Sequence, residues 1–128
     1  MSQHFEDESV GRRRWAIAEG YLVEDIDELE TLGNQHETLF LLNAGDVAAH
    51  VSISIYYPDR EPLGPYRFTV PPRRTQQVSL EELDSPRIPR GEAFQTLIES
   101  DQSIVVLATR RRVPHPEDSP LCRIAFAG

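Results

Sequence analysis

The chain has 128 residues, 39% of them apolar, and carries 13 basic residues, all arginine, against 21 acids, for a formal charge of −8. Its length suits one domain burying roughly two-thirds of the surface of the unfolded chain, and its apolar content excludes disorder of the whole. The acid excess disfavours nucleic-acid binding driven by global charge, and the single cysteine, Cys122, excludes an intrachain disulfide or a cysteine-built zinc site.

Residues 1–11 are polar and acidic and read as a mobile tail ahead of one domain over 12–128. The tail lacks the apolar stretch and cleavage site of a secretory signal, and the longest purely apolar run, 104–108, is far short of the roughly 20 residues of a spanning helix. A reducing, cytoplasmic setting is expected. The first strand is predicted at 15–18, on Trp15. Residues 24–30 then hold five acids, Glu24, Asp25, Asp27, Glu28 and Glu30, as in a solvated loop or one exposed helical turn. Residues 37–43 (ETLFLLN) are bulky and nearly continuous, the pattern of a central strand covered on both faces. Asn43-Ala44-Gly45-Asp46 supplies a turn. Apolar and polar residues alternate over 51–56, the pattern of a half-buried strand. The Pro- and Gly-rich run 58–65 reverses the chain, and the alternation returns over 66–70 until Pro71-Pro72 stops it. Ser79 and Glu82 have capping-box spacing, but Pro86 limits any helix there to a turn or two. Residues 94–99 carry a weaker strand signal, 103–109 (SIVVLAT) a strong one, and 122–126 close the chain with Cys122, Ile124 and Phe126 on one face. Six to eight short antiparallel strands joined by Gly and Pro turns, with little helix, predict an all-β single-domain sandwich.

Little in the chain suits catalysis. His4, His36, His50 and His115 show no HxH or HExxH spacing, and there is no Gly-x-Ser-x-Gly elbow, GxGxxG or P-loop. No enzyme activity, metal or cofactor is expected. The arginines cluster at predicted strand ends, as Arg12-Arg13-Arg14, Arg73-Arg74 and Arg110-Arg111-Arg112. Such clusters bind carboxylate or phosphate if they converge, and otherwise pair with the many acids. The Trp15, Glu19, Tyr21 neighbourhood has the aromatic and carboxylate make-up of a pocket wall.

WAIAEGY at 15–21, HETLFLLNAGD at 36–46, HVSISIYYPDREPLGPYRFTVPPRRT at 50–75 and IVVLATR at 104–110 together resemble the sensory rhodopsin transducer family. The resemblance implies a cytoplasmic β-sandwich that assembles as a homotetramer. It also implies either capture of a small polar, sugar-like metabolite or docking on the cytoplasmic face of a membrane photoreceptor. Polar residues inside the matching motifs, with their aromatic neighbours, are the candidate ligand-binding set: Trp15, Glu19, Tyr21, His36, Glu37, Asn43, Asp59, Arg60, Tyr66, Arg73, Thr109 and Arg110. Their spread over opposite strand ends means that not all can line one pocket. Asn43 has an alternative role in its turn, as do Asp59 and Arg60 through mutual pairing. The acidic 24–30 segment departs from the less charged, Pro/Gly-rich loop expected of the family, which bears on any photoreceptor contact. A DNA-binding regulator using the arginines is a further reading, opposed by the net charge, and a sugar-processing enzyme would need Glu19 and Glu37 as acid and base.

Overall fold

The computed structural model describes residues 10–22, 36–111, 121–124 and 126–127, with His36, Arg111 and the two segments beyond residue 120 described by their backbone alone. The tail apart from Val10 and Gly11, the acidic 24–30 segment, Arg112, His4 and His115 lie outside the described residues. The described strands are β1 (Arg12–Tyr21), β2 (His36–Asn43), β3 (Ala49–Tyr56), β4 (Leu63–Val70), β5 (Arg74–Ser79), β6 (Ala93–Arg111), β7 (Leu121–Ile124) and β8 (Phe126–Ala127), with one 3-10 turn at Leu80–Glu82. Every pairing is antiparallel. The all-β reading is correct.

β6 organises the molecule. Its first half pairs with β1 and β3 in the order β4-β3-β6-β1-β8, and its second half pairs with β2, which carries β5, and with β7. Between the halves the register slips: β1 advances from Arg12 to Arg14 while β6 runs from Ile104 to Glu99. The surplus residues of β6 form a bulge in which the Gln102 N–H donates to Ser100 Oγ at 3.2 Å. A bulge bends its strand, so one chain segment serves both layers of the sandwich. Two short strands expected at 94–99 and 103–109 are therefore one strand of 19 residues, because the polar Asp101-Gln102 step is a bulge and not a turn.

Both layers bury their inward residues in one core. Leu39 and Leu41 of β2, Val51, Ile53 and Ile55 of β3, Val70 of β4, and Ile98, Ile104 and Val106 from both halves of β6 are at most 4% exposed. Each such side chain contributes roughly 1.5–3 kcal/mol on leaving water. The outward residues of the second layer differ from expectation. Phe40, Leu42 and Leu107 remain 36 to 40% exposed, so the described residues cover β2 and the end of β6 on one face and not on both. β5 (RTQQVS) had no recognisable pattern, since only its Val78 is buried; its ladder with β2 forms it. The turn at Leu80–Glu82 carries no side-chain cap from Ser79. Glu81 Oε2 instead accepts the Glu37 N–H at 2.7 Å.

Candidate functional site

The bend in β6 returns its two ends to one rim of the sandwich, and the site forms there. On β1, three steps from Ile17 to Gly20 oppose two on β6, from Thr96 to Phe94. This bulge leaves both Ala18 and Glu19 exposed and turns Gly20 inward. A Cβ on Gly20 would lie 2.2 Å from Phe94 Cε1, so the bulge closes on the Phe94 ring only because the residue is glycine. At the end of β3 the alternation places Tyr56 outward and Tyr57 inward, where the Tyr57 ring meets Phe94 edge-on at 6.4 Å. These residues, with Tyr21, Pro58, Ala93, Gln95 and Arg110, line a cavity of about 540 Å³.

The wall behind the cavity is ionic. Arg110 donates from Nε at 3.0 Å and Nη2 at 2.8 Å to Glu37 Oε1, which also accepts the Tyr21 N–H at 3.1 Å. Glu37 is 5% exposed, so the pair links β1, β2 and β6 in a setting of low dielectric, where a charge-assisted bond is strong and its loss costly. Beside it, the Arg60 guanidinium lies 4.3 Å above the Tyr57 ring centroid. Arg60 is held by Asp59 at 3.1 Å and by a short ion pair to Glu92. The Arg60 hydrogen bond keeps the Asp59 carboxyl below its usual range, and Glu92 and then Asp59 push the guanidinium up. Burial raises the Tyr57 phenol, helped by the charge of Glu92. The Tyr57 hydroxyl is buried without a hydrogen-bond partner among the described residues.

The structure thus gathers Glu19, Tyr21 and Arg110 at one cavity, with Glu37 behind them and Asp59 and Arg60 beside its Tyr57 wall. The other candidates stand elsewhere. Trp15 donates its indole N–H to the carbonyls of Arg12 and Ile104, at the bend of β6. Asn43 is fully buried and donates to the carbonyls of Val47, Val70 and Pro71 while accepting the Gly45 N–H, so it ties two turns together. Arg73, with φ of 54°, pairs with Asp46 at 2.7 Å. The Tyr66 hydroxyl donates to the Pro86 carbonyl. Thr109 sits in the ladder between Thr38 and Cys122, and the backbone of His36 lies opposite Arg111. The arginine clusters do not converge on one patch: Arg12 opposes Ile104 and Arg74 opposes Asn43, whereas Arg110 is about 20 Å farther along β6 at ~3.3 Å per residue.

Tyr56, Tyr57, Phe94 and Gln95 line the cavity and were not among the candidates. The Tyr56-Tyr57 doublet at the end of an alternating strand was the one available signal. The β1 bulge that opens the space leaves a single trace in the sequence, the glycine Gly20 inside a strand. Among the described residues no group of three or more His, Cys, Asp or Glu is placed to hold a metal ion, and no helix is long and apolar enough to cross a membrane.

The model of the Anabaena sensory rhodopsin transducer family matches residues 10–127. The chain belongs to that family. As a sensory rhodopsin transducer family member it is similar to the solved structure of the Anabaena sensory rhodopsin transducer, at 48% identity and a TM-score of 0.65 over 77% of this chain and 95% of that one. A crystal structure of Thermotoga maritima 1070 is similar in fold, with a TM-score of 0.74 over 92% of this chain and 96% of that one at 23% identity. No curated protein matches the transducer-family chain in sequence.

Proposed function

We propose that this transducer-family chain is a non-catalytic cytoplasmic signalling domain that binds a small polar, sugar-like metabolite in the Glu19–Arg110 cavity and relays occupancy to a protein partner. The observation that carries the reading is the cavity's composition. Tyr21, Tyr56 and Phe94 offer ring faces and edges, and Glu19, Gln95 and Arg110 offer polar groups at the same opening. Apolar walls with a few placed polar groups are the usual form of a small-molecule site, and hydroxyl-rich ligands use both. Glu37 and Arg110 face each other across the β2–β6 ladder, and the same Glu37 oxygen accepts the Tyr21 N–H of β1 in the other layer, so a ligand drawing on Arg110 would alter the carboxylate that meets β1.

A thermal-shift screen of the purified chain against sugars, sugar acids, nucleotides and sugar phosphates tests this. A ligand at a hundred times its Kd stabilises the fold by about 2.7 kcal/mol, and Glu19→Ala is expected to abolish the shift. No stabilisation by any of these classes ends the ligand half of the proposal.

A second reading, a transducer docking on a membrane photoreceptor without a ligand, is favoured by the 48% identity to the Anabaena sensory rhodopsin transducer. It requires association with a rhodopsin from the same source, and absence of any microbial rhodopsin gene there would end it. In either reading the chain works as a homotetramer. The exposed Phe40, Leu42 and Leu107 supply apolar surface for a second copy, and a clean monomer in light scattering at micromolar concentration would overturn the assembly.

A further inference from the structure

The hairpin of β3 and β4 turns a polar face away from the core. Alternation sends His50 and Ser52 outward on β3 and Arg67 and Thr69 outward on β4. The register sets His50 opposite Thr69 and Ser52 opposite Arg67. Four polar side chains therefore mark the corners of a patch about 5 Å across the strands and about 7 Å along them. With Val51 and Phe68 they line a surface hollow of about 440 Å³, which shares no residue with the Glu19 cavity.

Two features separate this patch from an ordinary solvated face. The first is the fixed imidazole. His50 Nδ1 lies 2.8 Å from Asp101 Oδ2, and the other oxygen of that carboxylate accepts the His50 backbone N–H at 2.8 Å. The ring is thereby oriented, with Nε2 left over for a further partner. The second is Arg67, which makes no hydrogen bond or ion pair with the described residues, on a chain where acids outnumber arginines 21 to 13. The charged groups around His50 are Asp101 and Glu99 on β6, the latter 3.5 Å from Arg14 of β1, and Arg67 on β4. Asp101 offsets the charge of a protonated His50, so the hollow retains the positive charge of Arg67.

We propose that this hollow is an anion site for a tetrahedral phosphate group, whether inorganic phosphate or a phosphate monoester. Arg67 forks two of the oxygens, a geometry that guanidinium matches and ammonium does not. The hydroxyls of Ser52 and Thr69 and the Nε2–H of protonated His50 donate to the others. Binding then strengthens as His50 gains its proton.

NMR titration of the full chain with inorganic phosphate, glycerol 3-phosphate and sulfate, at ionic strength held constant with chloride, tests this. Sulfate keeps its charge between about pH 5.5 and 8, so its pH dependence reports on His50. Saturable shifts of the Ser52, Arg67 and Thr69 amides and of the His50 ring signals are expected. Arg67→Gln should weaken binding at least about tenfold without lowering Tm, and His50→Gln should remove the loss of sulfate affinity at high pH. A response to the monoester but not to inorganic phosphate would assign the site to phosphorylated metabolites, and equal responses to free phosphate. Shifts reproduced by chloride alone, affinity unchanged in Arg67→Gln, or pH-independent sulfate binding would overturn the proposal. Because Arg67 lies outside the Glu19 cavity, Arg67→Gln also separates this result from failure of the metabolite reading.

Discussion

Glu37 and Arg110 show how much one residue can depend on another. The Glu37 carboxylate is buried and takes both a fork from Arg110 and the Tyr21 N–H on a single oxygen. Truncation of Arg110 removes two charge-assisted hydrogen bonds from that buried carboxylate. Arg110→Met is expected to cost about 3–5 kcal/mol, and the double change Arg110→Met with Glu37→Leu to recover part of it, as a chemical-denaturation cycle would show. If the single change costs under about 1 kcal/mol, the pair is solvated and the ionic wall does not hold the β2–β6 rim together. Tyr57 makes the opposite case. Its hydroxyl is buried and unpartnered among the described residues, whereas its ring is held by Phe94 and Arg60. Tyr57→Phe keeps the ring and removes the desolvated oxygen, so stability should be unchanged or rise by about 1 kcal/mol. A fall in Tm would show that the hydroxyl has a partner.

At the scale of elements, bulges and turns shape the molecule more than the strands between them. The β1 bulge depends on Gly20, whose missing Cβ makes room for Phe94. Gly20→Ala must displace that ring and the wall it forms with Tyr57. A loss of about 1–3 kcal/mol is expected from overpacking, together with weakened binding of whichever ligand the thermal-shift screen finds. Binding retained at full strength would mean that the bulge does not define the site. Asn43 acts similarly at the far end, where one side chain joins the turn after β2 to the end of β4. Asn43→Ala strands several buried backbone groups and should cost about 2–3 kcal/mol, read as a shift of the denaturation midpoint without a change in slope.

For the whole molecule, the titrating groups bound the range of stability. Asp101, through the His50 N–H and then the imidazole, and Asp59, through Arg60, are held below their ordinary 3.8. A depressed carboxyl contributes stability above its unfolded value and loses it as pH falls through the folded value, so Tm should drop below about pH 4, less steeply in Asp101→Asn. Burial raises the phenols of Tyr57 and Tyr66 above 10.0. Their contribution is complete below pH 10 and is lost as pH rises beyond it, and Tyr57→Phe should flatten that alkaline limb. An alkaline limb unchanged in Tyr57→Phe would place the titration elsewhere.

Much of this protein was legible in its residues because the relevant physics is local. Alternation at 51–56 and 66–70, the Asn43 to Asp46 turn and Pro71-Pro72 determined an antiparallel all-β chain, and four long motifs determined its family. Glu19, Tyr21 and Arg110 could be named as polar members of those motifs. Their meeting at one cavity could not, since they stand on two strands whose proximity depends on a bend in β6 between Glu99 and Ile104. β5 was invisible for the same reason: with one buried residue it has no pattern of its own and exists through its ladder to β2. Periodicity reports which way a side chain points. Which strands lie beside one another, and where an extra residue bulges to open a cavity, depends on contacts between residues far apart in the chain, and only the tertiary structure decided those.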